Sequence, residues 1–200
     1  MSKVIGLTGS IGTGKSTVSN FLKGKQIPII DADVVSREVV EPGQVAYQQI
    51  IETFGTSILQ SDRQIDRKAL GRIVFSDETS RKQLNEIVHP QVHRTMLAKR
   101  DHYLNEGIPI IVLDIPLLFE NHLQQYVDLI VVVYTTPEIQ LQRLMERDQL
   151  TKEEAQSRIN AQTSIDTKAK QADMIIDNSG TFKETKQQCN KLLEDLQSEL

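Results

Sequence analysis

The chain has 200 residues, 25% of them charged and 4% aromatic, with no tryptophan and a formal net charge of −4. A net-acidic chain offers no general surface to nucleic acid or to an anionic membrane, so an anionic ligand has to be bound by a local cluster. A chain of this length buries on the order of 70% of its unfolded surface, enough for one compact unit with inserted subdomains and no covalent staples. Its single cysteine, Cys189, excludes an internal disulfide and fits a reducing compartment.

The chain enters at once on a short apolar strand, Val4 to Leu7, with no basic-then-apolar leader. No later apolar run approaches a membrane span, so the pattern predicts a soluble, cytoplasmic protein. The strand leads into Gly9-Ser10-Ile11-Gly12-Thr13-Gly14-Lys15-Ser16, with Thr17 after it. This fits the P-loop pattern G-x-x-x-x-G-K-[ST] at every fixed position, between a strand and a helix. Gly9, Gly12 and Gly14 let the backbone wrap closely, so that its N–H groups make an anion nest at a helix N-terminus. Lys15 is expected to reach the β- and γ-phosphates of a nucleotide, and the Ser16 hydroxyl to hold Mg²⁺.

The first helix is predicted from Gly14 to Lys23, stopped by Gly24. A second strand, Ile27 to Ile30, ends in Asp31-Ala32-Asp33, where open α/β sheets bind ligands. Asp33 is the candidate base that takes a proton from an attacking hydroxyl; one of the two aspartates capping the next helix is the competing role. From 34 to 107 the spacing turns helical and reads as an inserted subdomain. Val45 to Phe54 is a helix stopped at Gly55, and Asp66 and Asp77 each precede another. Pro90 is expected to kink or split the last of these. His89 and His93 are four apart, but the intervening proline and the missing glutamate speak against a zinc-binding metalloprotease-type helix, and a substrate-facing or core histidine is the better reading. Arg37, Arg63, Arg67 and Arg72 are the insert's basic residues, most of them simply solvated.

The sheet resumes at Ile108 to Asp114, a continuous apolar run suited to a strand buried on both faces. Asp114 fits a second metal-binding carboxylate or, equally, a strand-end cap. Val127 to Tyr134 is a fourth strand, after which Thr136 and Pro137 start a helix carrying Arg143 and Arg147. Thr151 to Glu154 is a capping box for another helix, ending near Gln162. Arg143 and Arg147 share one helix face and either close over a transferring phosphoryl as part of a mobile lid or pair with Glu146 or Asp148 on a solvated face. Met174 to Ile176 is the fifth strand. A last helix from Phe182 packs through Cys189, Leu192, Leu193 and Leu196. The prediction is an α/β protein: a five-stranded parallel sheet with a P-loop kinase core (1–33, 108–136 and 169–200), a helical substrate domain (34–107) and a helical lid (137–168).

Several stretches together resemble the dephospho-coenzyme A kinase family. They are Ile5-Gly6-Leu7-Thr8-Gly9 leading into the P-loop; Asp31-Ala32-Asp33; Ile87-Val88-His89-Pro90; and Asp114-Ile115-Pro116-Leu117-Leu118-Phe119-Glu120. Arg143 with Arg147 and Asp148, Arg158 to Gln162, and Ala172-Asp173 through Asp177-Asn178-Ser179-Gly180 complete the match. Ser10 and Thr13 depart from the family's usual loop residues, both at variable positions. The resemblance implies ATP- and Mg²⁺-dependent phosphorylation of the ribose 3′-hydroxyl of dephospho-coenzyme A. It implies Asp33 as base, with Lys15, Arg143 and Arg147 neutralising the phosphoryl group. It implies a nucleotide seat at Gly9, Gly12, Thr13, Gly14, Lys15, Ser16 and Thr17 with Asn178 near the adenine. It implies an acceptor site involving Thr8, Asp33, His89, Leu117, Phe119 and Glu120, and a metal at Ser16 and Asp114. Another small-molecule kinase of the shikimate kinase type is the alternative, although no Gly-Gly-Gly loop is present and the insert is large. The guanine-reading Asn-Lys-x-Asp of a GTPase is missing, since Asn190-Lys191 runs into Leu192-Leu193.

Overall fold

The computed structural model describes residues 2–199. Five strands form one sheet: β1 (Lys3–Gly9), β2 (Ile29–Asp31), β3 (Ile110–Asp114), β4 (Leu129–Tyr134) and β5 (Met174–Asp177). Their order is β2-β3-β1-β4-β5, and β1 runs parallel to both its neighbours. The predicted five-stranded parallel α/β sheet is thus the observed fold. Putting the first strand in the middle delivers the glycine loop to the centre of the sheet's carboxyl edge, where such sheets bind ligands.

The chain divides into two compact units, residues 1–30 with 100–200 and residues 31–99. In the first, α1 (Lys15–Gly24) and α9 (Phe182–Glu199) pack on the sheet. Val18 and Leu22 of α1 and Cys189, Leu192 and Leu196 of α9 meet Ile5, Leu7, Val131 and Val133 in one buried cluster. Apolar residues at helical spacing on α9 explain this, and Cys189 is a packing residue whose thiol burial pushes up to about 11. The same unit holds α6 (Pro137–Asp148), α7 (Lys152–Asn160) and α8 (Ile165–Lys170). Thr136 caps α6 with Pro137 at its first position, and the Thr151–Glu154 capping box starts α7, both as predicted. The short α8 was not predicted. Its signal was a Ser164 cap followed by Asp166 in the first turn.

The second unit comprises α2 (Ala32–Glu38), α3 (Val45–Phe54), α4 (Arg67–Ser76) and most of α5 (Glu78–Asn105). Its own core gathers Tyr47, Ile50, Ile58, Ile65 and Leu70, and Tyr47 donates its hydroxyl hydrogen to the Arg63 carbonyl at 2.6 Å. Helical content here agrees with the sequence pattern. The expected split at Pro90 does not: α5 is one continuous helix through it. Proline deprives only the Glu86 carbonyl of its helical donor, and Glu86 and Pro90 are both exposed, so water can satisfy that oxygen. Among the described residues no helix is long and apolar enough to cross a membrane.

Candidate active site

The loop between β1 and α1 owes its course to two glycines in the left-handed region, Gly12 (φ 82°) and Gly14 (φ 86°). Gly14 is doubly constrained, because a Cβ there would run into the Asn178 amide nitrogen. Side chains tie the loop down from several directions. Asn178 Nδ2 donates to Thr13 O at 2.9 Å, Gln140 Nε2 to Ile11 O at 2.7 Å, and the Ser10 hydroxyl to Thr163 O at 3.2 Å. The Ile11 amide donates to Gln162 Oε1 at 2.9 Å. Thr13 is buried, its hydroxyl turned inward to Ser10 O at 2.9 Å, and the Thr17 amide bonds to Gly14 O at 2.9 Å. Among the described residues nothing accepts from the amides of Gly12, Gly14, Lys15 and Ser16. Four donors without an intrachain acceptor at a helix start make a seat for a polyphosphate.

Lys15, in the first turn of α1, forms an ion pair and hydrogen bond with Asp114 Oδ1. Strand register produces this meeting: β3 lies beside β1 with Asp114 opposite Leu7, two residues before the loop begins. Asp114 is 2% exposed, so its carboxylate requires the cation. The Ser16 hydroxyl is exposed one residue further along α1. An alcohol and a carboxylate are hard oxygen donors of the kind Mg²⁺ takes alongside phosphate and water, so the residues fit the ion. Among the described residues there is no group of three or more His, Cys, Asp or Glu side chains that could form a protein-only metal cage.

Of the two α6 arginines, Arg143 is half-buried beside the loop: its Nη1 lies 3.9 Å from where a Cβ on Gly14 would sit. Arg147 is exposed and engaged in a two-pronged pair with Asp148, at 2.7 Å and 3.0 Å, while Arg158 Nη1 reaches Asp148 Oδ2 at 2.9 Å. The Arg147 bond holds the Asp148 carboxyl below its ordinary range. The pairing named as the alternative for Arg147 is therefore present, and Arg143 makes no such pair among the described residues.

In the second unit the competition between Asp31 and Asp33 is resolved. Asp31 Oδ1 accepts from the amides of Asp33 at 2.8 Å and Val34 at 3.2 Å, and so caps α2. The Asp33 carboxylate is exposed in the first turn, with no hydrogen bond or ion pair among the described residues. His89 is exposed on α5, its ring 6.5 Å from that of His93. Burial and the neighbouring His89 hold the His93 imidazole below its ordinary value.

Three residues expected at ligands have inward-facing roles. Thr8 is fully buried and its hydroxyl donates to Pro116 O at 3.1 Å, so it fastens the exit of β3. Phe119 is buried, whereas Leu117 stays 37% exposed. Asn178 spends its amide on the loop and accepts from the Thr185 hydroxyl at 2.9 Å, so its side chain braces the P-loop. Sequence reasoning missed the braces Gln140 and Gln162. It also missed Lys168, which is fully buried and 2.9 Å from Glu120 Oε1.

A loop built to seat polyphosphate, with a lysine held at its mouth by a carboxylate from the neighbouring strand, places the chain among the P-loop nucleotide-binding proteins. Residues 3–184 match the family model described as dephospho-CoA kinase. The chain belongs to the dephospho-CoA kinase family. The dephospho-CoA kinase of Oceanobacillus iheyensis is 54% identical over 97% of this chain and 98% of its own length. That of Listeria monocytogenes is 50% identical over 97% of each. Among solved structures, dephospho-CoA kinase from Campylobacter jejuni superposes with a TM-score of 0.78 at 30% identity, covering 98% of both chains. Shikimate kinase from Bacteroides thetaiotaomicron, 19% identical with a TM-score of 0.51 and 98% coverage of both chains, shares the fold.

Proposed function

We propose that the chain transfers the γ-phosphoryl group of ATP to the ribose 3′-hydroxyl of dephospho-coenzyme A, the last step of coenzyme A synthesis, in the cytoplasm. The observation that carries this is the family match across nearly the whole chain, joined to a P-loop with open amides. The amides of Gly12, Gly14, Lys15 and Ser16 hold the phosphate chain, and Lys15 neutralises charge on the β- and γ-phosphates. Ser16 and Asp114 would hold Mg²⁺, which would supply charge neutralisation to the phosphates. Asp33 accepts the proton of the attacking hydroxyl; an aspartate free of capping duty suits that work. The insert 34–107, with His89, serves as the acceptor-binding domain, and Leu117 of the core is a further acceptor contact. Segment 137–168 acts as the lid and supplies Arg143 and Arg147 to the transferring group, while Gln140 and the stretch from Gln162 to Lys168 stay fixed to the loop.

The test is ATP consumption by the purified chain with Mg²⁺ and a panel of dephospho-coenzyme A, shikimate and nucleoside monophosphates. Turnover confined to dephospho-coenzyme A, with coenzyme A as product, supports the reading; turnover with shikimate alone would overturn it. Arg147→Ala is expected to slow transfer about tenfold or more with little change in melting temperature, because its ion pair is exposed and contributes little to folding. A large fall in melting temperature would instead assign Arg147 to the structure of the helical hairpin.

A further inference from the structure

One ammonium in the first unit is wholly enclosed. Lys168 of α8 has 0% exposed surface; its Nζ donates to Gly9 O at 3.2 Å and to Pro116 O at 3.3 Å, and it is ion-paired with Glu120 Oε1 at 2.9 Å. Two carbonyl oxygens and one carboxylate oxygen thus surround the ammonium. Glu120 Oε1 also accepts from the Thr163 amide at 3.0 Å, while Oε2 is buried with no partner among the described residues. Burial opposes the charge on Glu120, but hydrogen bonds from Lys168 and the Thr163 amide hold its carboxyl below the ordinary range.

A buried ion pair with one oxygen bare is a weak device for stability alone, since apolar side chains could fill the space at lower cost. What Lys168 supplies is location. It joins three segments: the first residue of the P-loop, the turn two residues past Asp114, and, through Glu120, the stretch after α7. Thr163 and Gln162 of that stretch already hold Ser10 and Ile11 of the loop. Lys15 and Asp114 approach each other from two of the segments so joined.

We infer that Lys168 is a positioning residue for phosphoryl transfer: it fixes the loop entry at Gly9 against the β3 exit at Pro116, and thereby the alignment of Lys15 with Asp114. The inference rests on the kinase reading above. Two variants test it. K168M keeps the length of the side chain and removes the charge; K168M/E120Q removes both charges and leaves no buried ion. For each, kcat and KM per folded molecule, ATP Kd and melting temperature are measured.

Folded K168M is expected to lose about tenfold or more in kcat, as small misplacements of reacting groups do, with ATP Kd changed by less than about threefold. The second substitution should restore melting temperature without restoring kcat. A kcat for folded K168M within about threefold of the parent overturns the inference. So does a double variant that regains kcat along with stability, because the lysine would then serve only to neutralise Glu120. A double variant that does not fold marks Lys168 as purely structural and overturns it too. A parent chain that turns over no acceptor refutes the kinase reading and the inference with it; failure of the inference alone leaves the parent active.

Discussion

Asp33→Asn is expected to cut turnover by about 10²–10⁴-fold, the range a positioned general base supplies, while ATP affinity and folding stay nearly unchanged. The second half of that expectation comes from the geometry of α2. Asp31, not Asp33, accepts from the first-turn amides, so an amide at position 33 disturbs no cap. The Asp33 side chain is exposed and makes no hydrogen bond or ion pair among the described residues, so its replacement leaves no buried group orphaned. Single-turnover rates with saturating ATP and acceptor, beside equilibrium ATP binding, separate the two effects. Unchanged turnover would remove Asp33 from the chemistry. A parallel loss of ATP affinity would move it to the nucleotide site.

Lys15→Ala should abolish transfer for practical purposes, with a loss of about 10³-fold or more in kcat, because a fixed charge aimed at the phosphoryl oxygens is worth at least as much as one oxyanion donor. Unlike Asp33, Lys15 carries a structural burden as well. Its removal takes the lysine partner from a carboxylate that is 2% exposed, a change that costs about 1–3 kcal/mol when a buried polar group is deprived of its bond. The variant should therefore melt lower as well as fail to turn over. Lys15→Ala/Asp114→Asn should regain much of the melting temperature but none of the activity. Retained transfer in the single variant would mean that the loop binds without catalysing.

These two residues also show how much of the site the sequence itself makes legible. Lys15 sits in a contiguous pattern whose meaning is local: a strand, a glycine-rich turn and a helix start, all within a few residues. Thr136, Thr151 and Asp66 were legible for the same reason, since a cap acts on amides two or three residues away. Lys168 was not legible. Its acceptor at Gly9 lies 159 positions away, and beside Lys170 in a charged stretch it looks like any solvated lysine. Asn178 and Thr8 share that difficulty, with partners 165 and 108 positions distant. Their residue types suggested polar work, but only the fold determines whether that work faces a ligand or the back of the loop. The split expected at Pro90 is missing for a different reason. A proline in an exposed helix turn loses one bond that water can replace, and the rest of a 28-residue helix carries it through.

The braces behind the P-loop bear on the thermodynamics of nucleotide binding. Ordering a loose backbone costs about 1–2 kcal/mol per residue, and a glycine-rich segment loses more freedom than most. Here Asn178, Gln140, Gln162 and the Ser10 hydroxyl have already met that cost during folding. An incoming triphosphate therefore meets amides fixed in direction, and its binding enthalpy is not consumed in freezing the loop. The entropy of association falls instead on whatever must close over the nucleotide.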